Sequence, residues 1–255
     1  MKRIVVKVGS AVLTQDGSLA LVRMQNLVRF LVQLKKRYEV ILVSSGAVSA
    51  GYTVLKLDRN IIKNKQALAS IGQPILMKQY AREFSVHNVI SSQVLITARN
   101  LAKDDDIARV RNTVDTLIEN GIIPIINEND ATSTKELEVG DNDQLSAYIT
   151  KNTNSDMLII LSDIDAYYDC DPRKNSEAKA LKIVNDISKE ELAKIPTPND
   201  IFATGGIVTK LKAAQHLLDS DKDMFLASGF NLSDVENYMI NSIHNGGTLF
   251  TKVGK

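Results

Sequence analysis

Short runs of Ile, Val and Leu alternate along the chain with longer segments whose apolar residues recur at helical spacing. The runs at 3–8, 40–43, 122–126 and 157–161 show little polar alternation, which is typical of parallel strands covered on both faces. Segment 21–34 instead has apolar residues on one helical face. The pattern predicts an α/β protein with a mostly parallel central sheet between two layers of helices, a three-layer αβα sandwich.

Two segments depart from this simple alternation. Residues 65–84 are helical in pattern but contain Gly72-Gln73-Pro74, so two helices separated at the proline are predicted. Residues 165–198 are less regular and richer in charge and proline, and they are predicted to form an insertion over one face of the sheet. Elsewhere the pattern predicts strands at 89–96, 224–227 and 246–251 and helices at 106–119, 211–218 and 235–240.

Polar side chains gather after the strand at 122–126 and again just before the next helical segment. Ligands of open α/β sheets bind at the carboxyl ends of the strands. Asp141 alone could be a plain helix N-cap, but the cluster has more acids and amides than capping requires. It predicts a site for a small polar ligand that is cationic or carries a metal. Its members are Asn127, Glu128, Asn129, Asp130, Asp141, Asn142 and Asp143.

Two other strand ends have the composition of anion-binding turns. Lys7 stands shortly before Gly9 and Ser10, where backbone N–H groups can face a phosphate, although a surface lysine before a turn has the same pattern. Ser45 and Gly46 precede a short helical run whose N-terminus would favour a carboxylate or phosphate. A serine N-cap is the simpler alternative there.

A third junction is the Thr-Gly-Gly segment at 204–206, which leads into a helix. Lys210 lies in the first turns of that helix, where its charge opposes the helix dipole, so an anion sharing the site would explain it. The chain has neither a P-loop nor a dinucleotide-binding fingerprint. Lys7 and Lys210, with acids that could hold them or carry Mg²⁺, predict a phosphoryl-transfer site.

Charge and composition argue against several other classes of function. Lys and Arg number 31 against 30 Asp and Glu, so a net charge of +1 gives no electrostatic basis for binding nucleic acid or an anionic membrane. Aromatic residues make up 5% and Trp is absent, so a base-stacking platform is poorly supplied. The three His lack metal-ligand spacing. Without a bilayer-spanning apolar run or a signal peptide, the protein is expected in the cytoplasm.

Six motifs follow one another along the chain: Lys7-Val-Gly-Ser10, Val43-Ser-Ser-Gly-Ala47, Ile126-Asn-Glu-Asn-Asp130, Val139-Gly-Asp-Asn-Asp143 with Leu145-Ser-Ala147, Asp171-Pro-Arg173 and Thr204-Gly-Gly-Ile-Val-Thr-Lys210. In this order they resemble the amino acid kinase family, over nearly the whole chain. The first and last motifs are shared across that family. The two central ones are more particular to its members that act on glutamate.

The resemblance implies ATP-dependent phosphorylation of the γ-carboxylate of L-glutamate to L-glutamate 5-phosphate, the first step of proline synthesis. Mg²⁺ would be required and held mainly by the ATP phosphates, with no metal site in the protein. Lys7 and Lys210 would neutralise charge on the transferred group, and Asp143 would hold both lysines. The implied glutamate ligands are Ser45, Asn127, Asp130, Asp141 and Asn142. The implied nucleotide contacts are Lys7, Gly9, Ser10, Ser162, Asp163, Thr204, Gly205, Gly206, Ile207, Val208, Thr209 and Lys210.

The same resemblance implies one domain over residues 1–255, with a substrate-binding part at 1–150 and a nucleotide-binding part at 151–255. Many bacterial members carry a further C-terminal domain similar to RNA-binding PUA modules, and none is expected here. The implied partners are L-glutamate and ATP, a homo-oligomer (dimer or tetramer) and, through functional coupling, glutamate-5-semialdehyde dehydrogenase. Neither nucleic acid nor a membrane is expected. Ala166, Ala203 and Ile207 depart from the family pattern and affect the expected shape of the nucleotide loops.

Two alternatives of different kinds remain open on the sequence alone. A kinase of the same fold could act on N-acetylglutamate, aspartate, carbamate or a nucleoside monophosphate, although the cluster at 127–130 suits a free amine. A sensor without catalysis could bind an amino acid or nucleotide and regulate a partner. Such a sensor would be expected to lack Lys7, Lys210 or Asp143, and all three are present.

Overall fold

The computed structural model describes residues 1–132, 142–172, 174–193 and 206–252 of the chain. These residues contain one large sheet and a small separate hairpin. The strands are β1 Lys2–Val8, β2 Thr14–Gln15, β3 Ser18–Leu19, β4 Tyr38–Ser44, β5 Ser91–Ile96, β6 Ile123–Glu128, β7 Met157–Ser162, β8 Ile183–Val184, β9 Asp223–Ser228 and β10 Thr248–Phe250. β2 pairs with β3, and the others form an eight-stranded sheet in the order β5-β6-β4-β1-β7-β9-β10-β8.

The large sheet is mostly parallel, as predicted, and β1 lies in its middle. Val8 of β1 is paired with Ser44 of β4 on one side and with Leu161 of β7 on the other. β9 and β10 are antiparallel. Residues 165–198 were predicted to form an insertion over one face of the sheet. This prediction is wrong in one respect, because β8 lies within the segment, pairs with β10 and extends the sheet. β8 has only two residues, which is too few for a pattern of apolar and polar positions to indicate a strand.

Helices cover both faces of this sheet. They are α1 Ser10–Leu13, α2 Leu21–Lys35, α3 Ala47–Val54, α4 Ile62–Ser85, α5 Asp104–Glu119, α6 Asn142–Asn152, α7 Lys189–Ala193, α8 Ile207–Leu218 and α9 Ser233–Glu236, with a 3₁₀ turn at Ala98–Leu101 and a π turn at Asn237–Asn241. Successive residues of β1 point to opposite faces, so Ile4 and Val6 pack with α2 and α4, whereas Val5 packs with α6 and α8. The three-layer αβα sandwich is therefore confirmed. Of the helices in the described ranges, none is both long and apolar enough to cross a membrane.

Pro74 does not break the helix in which it lies. α4 continues from Ile62 to Ser85, so the prediction of two helices separated at the proline is wrong. The proline removes the hydrogen bond that would reach the carbonyl of Ser70, but both residues are exposed, and water can satisfy that carbonyl. The opposite face of α4 packs into the core through side chains such as Leu76, and this burial offsets the lost bond.

α3 and α4 approach each other closely through two glycines. A Cβ on Gly72 of α4 would lie 1.8 Å from the carbonyl oxygen of Ala47, and a Cβ on Gly51 of α3 would lie 2.0 Å from that of Leu68. Any larger residue at either position would push the helices apart. This contact sets the start of α3 beside the middle of α4.

Candidate active site

The carboxyl ends of β1, β4, β6 and β7 lie along one edge of the sheet because these strands are parallel. β4 and β6 lie on one side of β1, and β7 and β9 lie on the other. Where the connections that follow two neighbouring strands run to opposite sides, a crevice opens between the carboxyl ends of those strands. Ligands of open α/β sheets bind in this crevice. Lys7 is the next-to-last residue of β1, so it stands at this crevice.

Asp143 joins two lysines from distant parts of the chain. Its Oδ1 lies 2.5 Å from Nζ of Lys7, and its Oδ2 lies 3.1 Å from Nζ of Lys210. The carboxylate is fully buried, and the two lysine side chains are 5% and 4% exposed. Buried charges persist when they are paired and hydrogen-bonded. The three side chains form one unit in which a single carboxylate contacts two ammonium groups.

The ionisation of Asp143 follows from a competition between burial and the lysines. Burial alone raises the pKa of Asp143, but the charges of Lys7 and Lys210 and their hydrogen bonds outweigh it and lower that pKa to about 2. Asp143 is therefore ionised at neutral pH. The ionised carboxylate holds two ammonium groups at the crevice, where they can attract an anion.

Helices α6 and α8 carry Asp143 and Lys210 in their first turns. Asn142 and Asp143 begin α6, and Lys210 lies three residues after the start of α8. The hydroxyl of Thr209 donates to Oδ2 of Asp143 at 2.9 Å, and Nε2 of Gln144 donates to the carbonyl oxygen of Thr209 at 3.0 Å. The anion expected near Lys210 is thus provided within the protein by the Asp143 carboxylate. Both helix N-termini add partial positive charge.

A cavity of about 290 Å³ opens on the β4 and β6 side of the sheet edge. Its wall is polar and carries both signs of charge, with Glu128 and Asp130 as acids and Lys65 as a base. α3 begins at the cavity after Gly46, whose φ of 103° lies in the left-handed region that glycine adopts readily. The residues that line the cavity are Ser10, Ser45, Gly46, Ala47, Val48, Ser49, Lys65, Glu128, Asp130 and Asn142.

Asn142 connects the cavity to the strand ends beneath it. Its Nδ2 donates to the carbonyl oxygen of Ser44 at 3.2 Å, to Oγ of Ser45 at 2.9 Å and to Oδ1 of Asn127 at 3.1 Å. Asn127 is 1% exposed, and its Nδ2 donates to Oε1 of Gln73 at 2.9 Å. These bonds hold the start of α6, the end of β4 and the end of β6 in one arrangement.

On the other side of β1, the end of β7 carries Ser162 and Asp163. Ser162 is buried, and its hydroxyl donates to Oδ1 of the exposed Asp163 at 2.8 Å. The N–H of Gly9 donates to the carbonyl oxygen of Leu161 at 3.0 Å, so this N–H is engaged within the sheet edge and does not face a phosphate. A Cβ on Gly9 would lie 3.8 Å from Nζ of Lys7, which places the loop after β1 beside the buried cluster.

Comparison with known proteins identifies the family. A model of the amino acid kinase family matches residues 2–228. The chain belongs to the amino acid kinase family. It is similar to the glutamate 5-kinase of Wolinella succinogenes, with 46% identity over 100% of both chains. It is also similar to the glutamate 5-kinase of Leishmania donovani, with 46% identity over 98% of this chain and 95% of the other.

Among solved structures, T. acidophilum isopentenyl phosphate kinase has a TM-score of 0.68 with this amino acid kinase at 16% identity, covering 97% of this chain and 99% of the other. At that identity the likeness concerns the fold alone. The family resemblance inferred from the six motifs is confirmed, and so is the expectation of a kinase enzyme.

The structure brings most of the predicted substrate ligands of this amino acid kinase to the cavity. Ser45, Asp130 and Asn142 line it, and Asn127 lies directly behind Asn142. Ser10, predicted as a nucleotide contact, lines the same cavity. Predicted ligands from separate parts of the chain are therefore close to one another.

The predicted nucleotide contacts are described only in part. Gly206 lies just before α8, and Ile207, Val208 and Thr209 form its first turn with partly buried side chains. Ala166, which departs from the family pattern, is 3% exposed. The residues of the predicted motifs and sites that lie outside the described ranges include Asp141, Arg173, Ala203, Thr204 and Gly205.

Sequence analysis missed two residues that the geometry adds to the site, Lys65 and Gln73. Nothing in the sequence marked Lys65 as a site residue, because it is a single charged residue in a segment with a helical pattern. The structure places it in the cavity wall. Glu128 was predicted as a member of the polar cluster but not among the implied glutamate ligands, and the structure places it in the cavity wall. Gln73 was obscured by Pro74, which indicated a helix break, and it supports Asn127 from behind.

Proposed function

We propose that this amino acid kinase transfers the γ-phosphoryl group of ATP to the γ-carboxylate of L-glutamate, giving L-glutamate 5-phosphate and ADP, the first step of proline synthesis. The observation that carries the proposal is the buried cluster of Lys7, Asp143 and Lys210 at the crevice beside a cavity with charges of both signs. The similarity to proteins named glutamate 5-kinase supports the choice of acceptor.

In the proposed reaction a carboxylate oxygen of glutamate attacks the γ-phosphorus of ATP. A new O–P bond forms while the bond between the γ-phosphorus and the β,γ-bridging oxygen breaks, and that electron pair leaves with ADP. The acceptor carboxylate is already ionised at neutral pH, so no proton has to be removed and no general base is needed. The protein's task is therefore to align two anions and to neutralise charge.

The lysine cluster suits this task. Lys7 and Lys210 are held against one carboxylate before any substrate binds, so they need little reorganisation as charge moves to the oxygens of the transferred group. Asp143 holds both ammonium groups in place, where they can attract the phosphoryl group. Asp143 follows Asn142 in α6, and Asn142 lines the cavity. This arrangement would bring the acceptor and the lysines together.

The charges around the cavity match an amino acid with two carboxylates. Asp130 and Glu128 suit its ammonium group, whereas Lys65 and the N-terminus of α3 suit one carboxylate. The other carboxylate would then extend toward the lysine cluster.

Mg²⁺ would enter together with ATP. In the described part of the chain, no group of three or more His, Cys, Asp and Glu side chains is placed to hold a metal ion. Both oxygens of the Asp143 carboxylate face lysines. The residues therefore fit Mg²⁺ as part of Mg-ATP, held mainly by phosphate oxygens. When bound, the ion supplies further neutralisation of phosphate charge.

The proposal extends to organisation and partners. Residues 1–150, which include the cavity wall, would bind the amino acid, and residues 151–255, which begin just before β7, would bind most of the nucleotide. The family resemblance supports a homo-oligomer (dimer or tetramer) that works in the cytoplasm. The product is a mixed anhydride and is readily hydrolysed, which favours functional coupling to glutamate-5-semialdehyde dehydrogenase.

The test uses purified protein with Mg-ATP, hydroxylamine and either L-glutamate, N-acetylglutamate or L-aspartate. Hydroxylamine traps an acyl phosphate as a hydroxamate, which ferric ion makes visible. Hydroxamate with glutamate alone supports both the reaction and the acceptor. Hydroxamate with another acid keeps the mechanism but changes the acceptor, and no hydroxamate with any acid contradicts the proposal.

A further inference from the structure

A chain of side-chain amides runs from the cavity to the edge of the sheet. Nδ2 of Asn142 donates to Oδ1 of Asn127 at 3.1 Å, and Nδ2 of Asn127 donates to Oε1 of Gln73 at 2.9 Å. Nε2 of Gln73 in turn donates to Oε1 of Gln93 at 3.1 Å. Asn142 lines the cavity, Gln73 is 8% exposed, and Gln93 is exposed on β5. Each amide therefore points its NH₂ group away from the cavity.

The direction of this chain decides which atom Asn142 can offer to a ligand. Its NH₂ group faces acceptors on Ser44, Ser45 and Asn127, which outnumber its two protons. Its Oδ1 is buried and has no hydrogen-bond partner within the described residues. A buried acceptor of this kind is stabilised by a donor on the ligand. In an amino acid that donor is the ammonium group.

Gln73 is the buried member that sets this direction. An amide can turn by 180° and exchange its oxygen with its nitrogen, and Asn127 would then present an NH₂ group to the NH₂ group of Asn142. Oε1 of Gln73 opposes that turn because it accepts from Nδ2 of Asn127. Gln73 cannot easily withdraw, since the adjacent Gly72 packs against the carbonyl oxygen of Ala47 and holds α4 in place.

We infer that Gln73 is a positioning residue of the amino-acid site, which orients Asn127 and, through it, Asn142, so that Oδ1 of Asn142 accepts a hydrogen bond from the substrate's ammonium group. The inference rests on the proposed function for the class of ligand, an acid with a free amine. Gln73 lies behind Asn127 and away from the lysine cluster. Its effect therefore falls on the preference for amine-bearing acids and leaves phosphoryl transfer to a bound acceptor largely intact.

Two substitutions separate this role from simple packing. Gln73→Glu keeps the size of the side chain and an oxygen that accepts from Asn127, and the exposed Gln93 can turn its amide to donate to the new carboxylate. Gln73→Met also keeps the size but offers no strong acceptor, so Asn127 loses its fixed direction. Gln79→Met, on the same helix, removes an amide that donates to Glu83 at 2.6 Å and is the matched control.

The experiment compares each acid with the analogue that lacks the amine: L-glutamate with glutarate, and L-aspartate with succinate. Binding to the full chain is measured by calorimetric titration in the presence of Mg-ADP. The wild type is expected to prefer the amine-bearing acid, and Gln73→Met is expected to lower that preference about tenfold, as the loss of one hydrogen bond to a charged group allows. Gln73→Glu and Gln79→Met are expected to retain it.

A double substitution adds a check that packing alone would not satisfy. In an Asn142→Asp background either carboxylate oxygen can accept, whatever the orientation, so adding Gln73→Met should change the preference by less than about threefold. Thermal unfolding verifies that each variant is folded. If Gln73→Met does not fold, Gln93→Ala, which frees the outer end of the amide chain, replaces it and should lower the preference in the same direction.

The outcomes separate this inference from the proposed function. An unchanged preference in Gln73→Met, or an equal loss in Gln73→Met and Gln73→Glu, would overturn the positioning role. A wild type that binds aspartate and not glutamate would contradict the proposed acceptor, while the aspartate and succinate pair still tests Gln73. A wild type with no preference for the amine in either pair overturns the inference itself.

Discussion

Oδ1 of Asp143 and Nζ of Lys7 lie 2.5 Å apart at the buried carboxyl end of β1. Nζ of Lys210 approaches the other oxygen of the same carboxylate at 3.1 Å. Because one carboxylate serves both ammonium groups, a change to any of the three side chains alters the charge around the other two. The catalytic roles proposed for them can therefore be separated only by variants that keep size and change charge.

Lys210→Met is expected to lower kcat about a hundredfold or more, because it removes a charge that we propose to stabilise the transition state. KM for glutamate should change much less. Formation of hydroxamate at saturating substrates measures the effect. Lys212→Met, at an exposed position of the same helix, is the control and should keep the wild-type rate. A near-normal kcat in Lys210→Met would remove Lys210 from the catalytic set.

Asp143→Asn removes the carboxylate charge that contacts two buried ammonium groups. Removing one partner from a buried ion pair costs about 3–5 kcal/mol, so the free energy of unfolding in urea should fall by that order. Adding Lys7→Met removes one of the two like charges and should recover part of the loss. A double variant that is no more stable than Asp143→Asn would contradict the electrostatic account of the cluster.

The lowered pKa of Asp143 makes stability depend on pH with a definite sign. Its pKa is about 2 in the folded protein against an ordinary value of 3.8, so the folded state binds this proton less tightly than the unfolded state. The resulting stabilisation, about 2 kcal/mol, is present above about pH 4 and is lost as the pH falls toward about 2. Urea unfolding can be measured at several pH values in this range. As the pH falls, the difference in the free energy of unfolding between wild type and Asp143→Asn should become smaller. A difference independent of pH would argue against the shift.

Asp130→Ala is expected to raise KM for glutamate about tenfold or more, because it removes the carboxylate that we propose as a partner of the ammonium group. KM for ATP should stay near the wild-type value, since Asp130 lies on the cavity side of β1. Steady-state kinetics with each substrate varied in turn measures both. Asp105→Ala, at an exposed position in the first turn of α5, controls for the loss of one negative charge. An unchanged KM for glutamate would exclude Asp130 as an ammonium ligand.

Gly72→Ala is expected to destabilise the protein by about 3 kcal/mol, because the added Cβ overlaps backbone atoms that cannot move aside cheaply. The Cβ would lie 1.8 Å from the carbonyl oxygen of Ala47, the first residue of α3, so KM for glutamate should rise as well. Thermal unfolding and kinetics measure the two effects. Ser70→Ala, on the exposed side of the same helix, should change neither. Normal stability in Gly72→Ala would mean that the two helices can separate freely.

Much of the fold could be predicted because its signals are local. The strands β1, β4, β6 and β7 are buried on both faces, so each is a nearly continuous apolar run that ends in polar residues. The same reasoning failed where a local signal was overridden or absent. Pro74 did not end α4, because packing of the opposite helix face holds the helix together. β8 is only two residues long and acquires its place by pairing with β10.

The sequence by itself determined the kinds and order of the elements, the polar character of the strand ends and the motifs that place the chain among amino acid kinases. The motifs also implied that Asp143 would hold Lys7 and Lys210, but only the tertiary structure gave the distances between these side chains and showed that Gln73 stands behind Asn127. Periodicity reports how each residue meets its own neighbours in the chain. Contacts across a sheet depend instead on strand order and on how closely helices approach, and neither leaves a periodic trace in the sequence.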